Sequence, residues 1–101
     1  MMIQLTTTSD DRNELLRIAD HLISNRLAAC CQIEGPITSI YLWEGQVESS
    51  EEFRCVIKST KERYAAIESA ILSLHHYECP QIVGCELPMS EANYVRWASC
   101  Q

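Results

Sequence analysis

The chain has 101 residues, with 14 Asp and Glu against 8 Lys and Arg, a net charge of −6 and 47% hydrophobic side chains. That length fits one domain over residues 1–101. Its core is thin, because a chain of this size buries only about two-thirds of its unfolded surface, so self-association would supplement it. The charge balance excludes the clustered Lys and Arg of a nucleic-acid surface, and no run approaches the ~20 apolar residues needed to cross a bilayer.

Met2–Thr8 alternates Ile3, Leu5 and Thr7 against Gln4 and Thr6, which reads as a strand. Ser9-Asp10-Asp11 then offers capping oxygens and negative charge to a helix N-terminus. In that helix Leu15, Leu16, Ala19, Leu22 and Ile23 form the expected apolar stripe, with Asn25 and Arg26 at its end. A second strand is expected from Leu27, bent at Gly35-Pro36 and resuming over Ile37–Trp43. Glu44-Gly45-Gln46 reads as a hairpin turn, and the returning strand shows Phe53, Cys55 and Ile57 on one face.

Ser59 with Glu62 has the spacing of a capping box. The helix after it presents Tyr64, Ile67, Ile71 and Leu74 on one side. His75–Pro80 is a loop, Ile82–Leu87 a last strand stopped by Pro88, and Ser90 a cap for a short helix offering Tyr94 and Trp97 to the core. The order β-α-β, hairpin, β-α-β and a short helix is the split βαβ, or ferredoxin-like, α+β pattern. Two helices would cover one face of a four-stranded antiparallel sheet. Val56 and Ala29 on the other face are apolar enough to call for a partner sheet or subunit there.

Six cysteines in so short a chain suggest a disulfide scaffold. Cys55 and Cys85, however, lie in apolar strand-like runs, where a reduced thiol serves as a small hydrophobe. Met1-Met2-Ile3-Gln4-Leu5 has neither the basic region nor the apolar stretch of a secretory signal. Reduced thiols in a cytoplasmic compartment are therefore expected.

No C-x-x-C pair occurs, and Cys30 and Cys31, adjacent on a strand, point to opposite faces. The densest run of metal-ligating side chains is His75-His76-Tyr77-Glu78-Cys79-Pro80, whose imidazole and thiolate groups suit copper or zinc. From spacing alone the plainer reading of the same histidines is a helix C-terminus, where they meet the negative end of its dipole. Catalysis has little to stand on: there is no nucleophile elbow and no Gly-rich phosphate loop, and the carboxylates of Glu51-Glu52 diverge on a strand. A binding or sensing protein rather than an enzyme is expected.

Several stretches resemble the CutA divalent-cation-tolerance family. Arg26-Leu27-Ala28-Ala29-Cys30 matches its R-L-A-A-C segment, and Ser39-Ile40-Tyr41-Leu42-Trp43-Glu44-Gly45 its S-I-Y-x-W-x-G hairpin. Ile57-Lys58-Ser59-Thr60 is similar to its K-T strand end. His75-His76-Tyr77-Glu78-Cys79-Pro80-Gln81-Ile82 resembles H-P-Y-E-x-P-x-I, and Tyr94 to Trp97 the Y-x-x-W ending. The match runs in order along nearly the whole chain. His76 in place of the usual Pro and the additional thiol of Cys79 depart from it.

The resemblance implies a ferredoxin-like fold assembled as a tight homotrimer, with a link to copper tolerance and divalent-metal binding. By position it makes Cys30, His75 and Glu78 candidate metal ligands for copper or another divalent cation, with Cys79 a local addition and no obligatory cofactor. It also implies likeness to PII-type signalling trimers, which bind effectors in clefts between subunits. On that second reading Trp43, Lys58, Tyr77 and Glu78 would line a cleft for a small anionic metabolite or a partner protein. Lys58 separates the two readings: an anion site needs an ammonium group and a cation site does not.

Overall fold

Strand β1, Met2–Ser9, occupies the middle of the sheet. Its alternation sends Ile3, Leu5 and Thr7 into the core, while Gln4 and Thr6 stay half-buried on the other face. The computed structural model describes Met1–Gln101. Helix α1 spans Arg12–Ser24, and the Asp11 carboxylate caps it by accepting from the N–H groups of Asn13 and Glu14. It ends where Arg26 turns into the left-handed region at φ 58°, and the N–H groups of Leu27 and Ala28 both close on the Leu22 carbonyl.

Strands β2, Cys30–Trp43, and β3, Gln46–Thr60, form a long antiparallel hairpin. Its far end extends beyond the helices and draws the molecule out to 45 × 26 × 22 Å. The register shifts between Glu34 and Ile37, where Gly35 takes φ 138°. A side chain there would meet the Phe53 ring at 2.9 Å and the Glu52 carbonyl at 3.1 Å, so this bulge requires glycine. Helix α2, Tyr64–Leu74, follows a 3₁₀ turn over Lys61–Arg63; β4, Val83–Glu86, and α3, Ala92–Ser99, complete the chain.

The sheet order is β2-β3-β1-β4 with every neighbouring pair antiparallel, the ferredoxin-like arrangement. The core lies between this sheet and the two long helices. Leu5, Ile57 and Cys55 from the strands meet Leu15, Ile18 and Leu22 of α1 and Ile67 and Ile71 of α2, all of them fully buried. Cys31 lies beside Cys55 against this core, and that neighbouring thiol together with burial holds its own thiol above the usual range. All six cysteines are unpaired.

Four local expectations are corrected. Helix α1 buries Leu15, Ile18 and Leu22, while Leu16 and Ile23 are exposed. The reason is the ridge of Leu15, Ile18 and Leu22, spaced three and four residues apart, which packs on the sheet and brings Glu14 inward with it. Ser59 forms no capping box: it lies within β3, buried, with its hydroxyl donating to the Leu27 carbonyl. Strand β2 starts at Cys30 rather than Leu27, because the chain leaving α1 is still closing on Leu22.

The last correction concerns α3. The Ser90 hydroxyl donates to the Leu87 carbonyl, so Glu91 caps the helix instead, accepting from the N–H groups of Asn93 and Tyr94. The small residue Ala98 is the buried one, and Tyr94 and Trp97 pack on each other at 5.6 Å with their outer faces in solvent. Tyr94 sits beside Cys30, and α3 lies against β3. The face carrying Val56 also bears Gln4, Cys30, Gln32 and Lys58, and Lys58 Nζ donates to Gln32 Oε1 at 3.1 Å; Ala29, expected on this face, precedes β2 and is not among its paired residues.

Candidate functional site

The loop that follows α2 is fastened to the start of α1. His75 turns out of the helix with extended backbone, φ −79° and ψ 138°, while its N–H still reaches the Ile71 carbonyl. Its buried ring is held at both nitrogens. Nδ1 accepts from the Tyr77 N–H at 3.1 Å, so Nε2 carries the proton and donates to the Thr8 carbonyl at 2.7 Å. The Glu14 carboxylate lies 3.5 Å from that Nδ1.

Glu14 stands in the first turn of α1, within reach of Ser9 behind it and His76 across from it. The Ser9 hydroxyl donates to Oε2 at 2.7 Å and the His76 N–H to Oε1 at 2.8 Å. His76 Nδ1 is 2.7 Å from Oε2, and its Nε2 lies 3.2 Å from Asp10. Burial pushes the Glu14 carboxyl up, but these hydrogen bonds outweigh it and hold the group below the usual carboxylate value. The bond to Glu14, aided by the charge of Asp10, raises His76 above its ordinary value.

Glu14, His75 and His76 each bring one donor atom to within 4.8 Å of the others. Two imidazoles and a carboxylate at that spacing form a borderline donor set, suited to copper, zinc or nickel rather than to calcium or magnesium.

The other side of the loop faces the hairpin across a cavity of about 640 Å³. Trp43, Tyr77, Glu78 and Cys79 line it together with Tyr41, Glu48 and Glu52. Tyr41 pairs with Glu48 across the hairpin, and Trp43 and Glu52 follow at even spacing, so one face of the hairpin supplies them all. The Tyr77 hydroxyl donates to the buried Glu52 carboxylate at 2.6 Å and accepts from the Asp10 N–H at 2.8 Å. Burial first, and then this bond to Glu52, push the Tyr77 phenol well above its usual range.

The four candidate metal ligands do not converge within one chain. Cys30 lies opposite Lys58, whereas Thr8, on which His75 docks, lies opposite Arg54. Four residues of strand separate those positions, roughly 13 Å. Glu78 and Cys79 look into the cavity while His75 is turned inward. Of the cleft residues, Trp43, Tyr77 and Glu78 meet and Lys58 does not, being tied to Gln32 on the sheet.

Sequence reasoning gave no site role to Glu14, Glu48 or the motif residue Tyr41, and set Glu52 aside because its carboxylate diverges from that of Glu51. Glu14 had a legible signal, since an acidic residue in line with Ile18 and Leu22 has to be buried and therefore bonded.

A protein-family model described as "CutA1 divalent ion tolerance protein" matches residues 3–101. A divalent-cation tolerance protein CutA of Thermus thermophilus is 38% identical over 82 residues, covering 79% of this chain and 78% of that one. A probable divalent-cation tolerance protein cutA homolog of Encephalitozoon cuniculi is 37% identical over 76 residues, 75% of this chain and 66% of its own length. The solved Thermus thermophilus Cut A1 structure superposes with a TM-score of 0.95 at 29% identity, covering 98% of this chain and 96% of that one. Fold, motif order and these likenesses agree: the chain belongs to the CutA1 divalent ion tolerance family.

Proposed function

We propose that the chain serves divalent-cation tolerance by binding the ion itself, copper among the candidates, as a cytoplasmic homotrimer without catalytic activity. The observation that carries this reading is the cluster of Glu14, His75 and His76, whose donor atoms already stand within ion-chelating reach. An arriving ion would displace the His76–Glu14 hydrogen bond and take both groups as ligands. Glu78 and Cys79, on the outer side of the same loop, are a second place for a soft ion to dock. The trimer is supported by the hairpin end, where Ile40, Leu42 and Val47 are each more than 70% exposed.

The test is a competitive copper titration of the reduced protein against a chelator of known affinity, with solution mass measured on the same sample. Stoichiometric binding that falls at least about tenfold in His76→Ala is expected, on a particle of three chains. Binding unchanged by His76→Ala and by the Glu78→Gln/Cys79→Ala double variant would overturn the site. A single-chain mass would overturn the trimer.

A second reading has its own support. The cavity brings Trp43 of the hairpin to face Tyr77 and Glu78 of the loop, as expected of a trimeric sensor that takes a small effector or partner segment beside the hairpin.

A further inference from the structure

The cavity between the hairpin and the 75–80 loop has a chemistry of its own. Three carboxylates, Glu48, Glu52 and Glu78, and three aromatic rings, Tyr41, Trp43 and Tyr77, form its walls. Its lining contains no lysine, arginine or histidine. The one ammonium that would make it an anion site, on Lys58, is held by Gln32 away from it. Glu52 is 94% buried, so a carboxylate has been taken out of water with a single hydrogen bond, from Tyr77, to compensate it. Burying acid that sparingly partnered is costly unless a positive charge arrives to complete it.

Size and spacing say what kind of positive charge. About 640 Å³ is the volume of a pocket for an organic molecule, and a bare metal ion would leave most of it open. The donors are also too spread to chelate. The metal-spaced group of this chain is Glu14, His75 and His76, and Glu48, Glu52, Glu78 and Cys79 do not form another. Aromatic faces beside dispersed carboxylates are instead the surroundings that attract ammonium groups carried on carbon, by ring quadrupole and Coulomb attraction together.

We propose that this cavity is a binding site for a small organic cation, an alkylammonium compound, seated against Trp43, Tyr41 and Tyr77 with its charge shared by Glu48, Glu52 and Glu78. The inference takes its place from the cleft reading and reverses the sign of the ligand expected there. It is independent of ion binding at Glu14 and His76.

The experiment is calorimetric titration of the full chain, in its native assembly, with putrescine, with choline and with glutarate as an anion of similar length. Saturable binding of putrescine or choline, one per chain, is expected, with no binding of glutarate. Glu48→Gln and Glu78→Gln, both at exposed positions, should each weaken it severalfold, and Trp43→Leu by about tenfold.

Copper titration of the same variants separates the two readings. Glu48→Gln should keep copper binding and weaken amine binding severalfold, and His76→Ala should weaken copper binding and keep amine binding. Glutarate binding in place of the amines, or amine binding indifferent to all three cavity variants, would overturn the proposal. So would the absence of saturable heat with either amine, whatever copper does.

Discussion

His76 Nδ1 stands 2.7 Å from Glu14 Oε2, so one hydrogen bond links the loop after α2 to the first turn of α1. The two groups perturb each other in opposite senses: His76 is raised above 6.5 and Glu14 lowered below 4.5. A histidine raised on folding contributes stability that is fully present below its unfolded pKa and lost as pH rises through the folded one. A carboxyl lowered on folding contributes stability that is present above its unfolded pKa and lost as pH falls through the folded one. The metal-free protein should therefore gain most from this pair between those two ordinary values, in the mildly acidic range.

The expected profile follows. Thermal midpoints recorded from about pH 4 to about pH 9 should fall on the alkaline side as His76 loses its proton, and His76→Ala should flatten that limb. The His76 ring is half exposed, so the amplitude stays below about 1 kcal/mol. An alkaline limb unchanged by the substitution would show that the bond stabilises nothing.

Tyr77 makes a sharper prediction. Its hydroxyl is at once donor to the buried Glu52 and acceptor from the Asp10 N–H. Tyr77→Phe keeps the ring and removes both bonds, leaving a buried carboxylate without its partner. Hydrogen bonds to charged groups are worth about 1.5–3 kcal/mol, and denaturant unfolding should show a loss of that order. Adding Glu52→Gln to Tyr77→Phe should recover part of it, because the charge is then gone. A double variant no more stable than Tyr77→Phe would mean that the carboxylate is satisfied by other means.

The frame of the fold was legible because two periods are clear in the chain. Ile3-Leu5-Thr7 and Phe53-Cys55-Ile57 alternate, and Ile67 and Ile71 repeat at helical spacing. The turn at Gly45 and the break at Gly35-Pro36 punctuate it. The loop residues of the site were legible too, since His75 to Cys79 gather ligands in five positions. What escaped was each partner supplied from far along the chain. Glu14 meets His76 across 62 residues and Glu52 meets Tyr77 across 25. Helical spacing can mark an acid such as Glu14 as buried, but nothing local in sequence says which distant residue will meet it.

Helix α1 tests that point by substitution. Sequence periodicity put Leu16 and Ile23 in the stripe, whereas the structure buries Ile18 completely and leaves Leu16 41% exposed. Ile18→Ala should cost about 2–5 kcal/mol of unfolding free energy, as large-to-small changes in a packed core do. Leu16→Ala should cost less than about 1 kcal/mol. Chemical denaturation of the two variants side by side decides it, and a larger loss at Leu16 would place the helix in the rotation that periodicity suggested.

The hairpin turn offers the opposite case, a substitution that should stabilise. Glu44 has φ 51° and Gly45 φ 79°, both left-handed, which is the backbone of a two-residue type I′ turn. Gly45 adopts that conformation freely, but Glu44 pays a steric cost between its Cβ and the neighbouring carbonyl. Asparagine tolerates the left-handed region better and gives the Asn-Gly pair that such turns favour. Glu44 is exposed, so the exchange removes no buried contact. Glu44→Asn should raise the unfolding free energy by roughly 0.5–1 kcal/mol, read as a higher denaturant midpoint at unchanged slope. A lower midpoint would mean that the Glu44 side chain makes a contact at the hairpin end worth more than the strain.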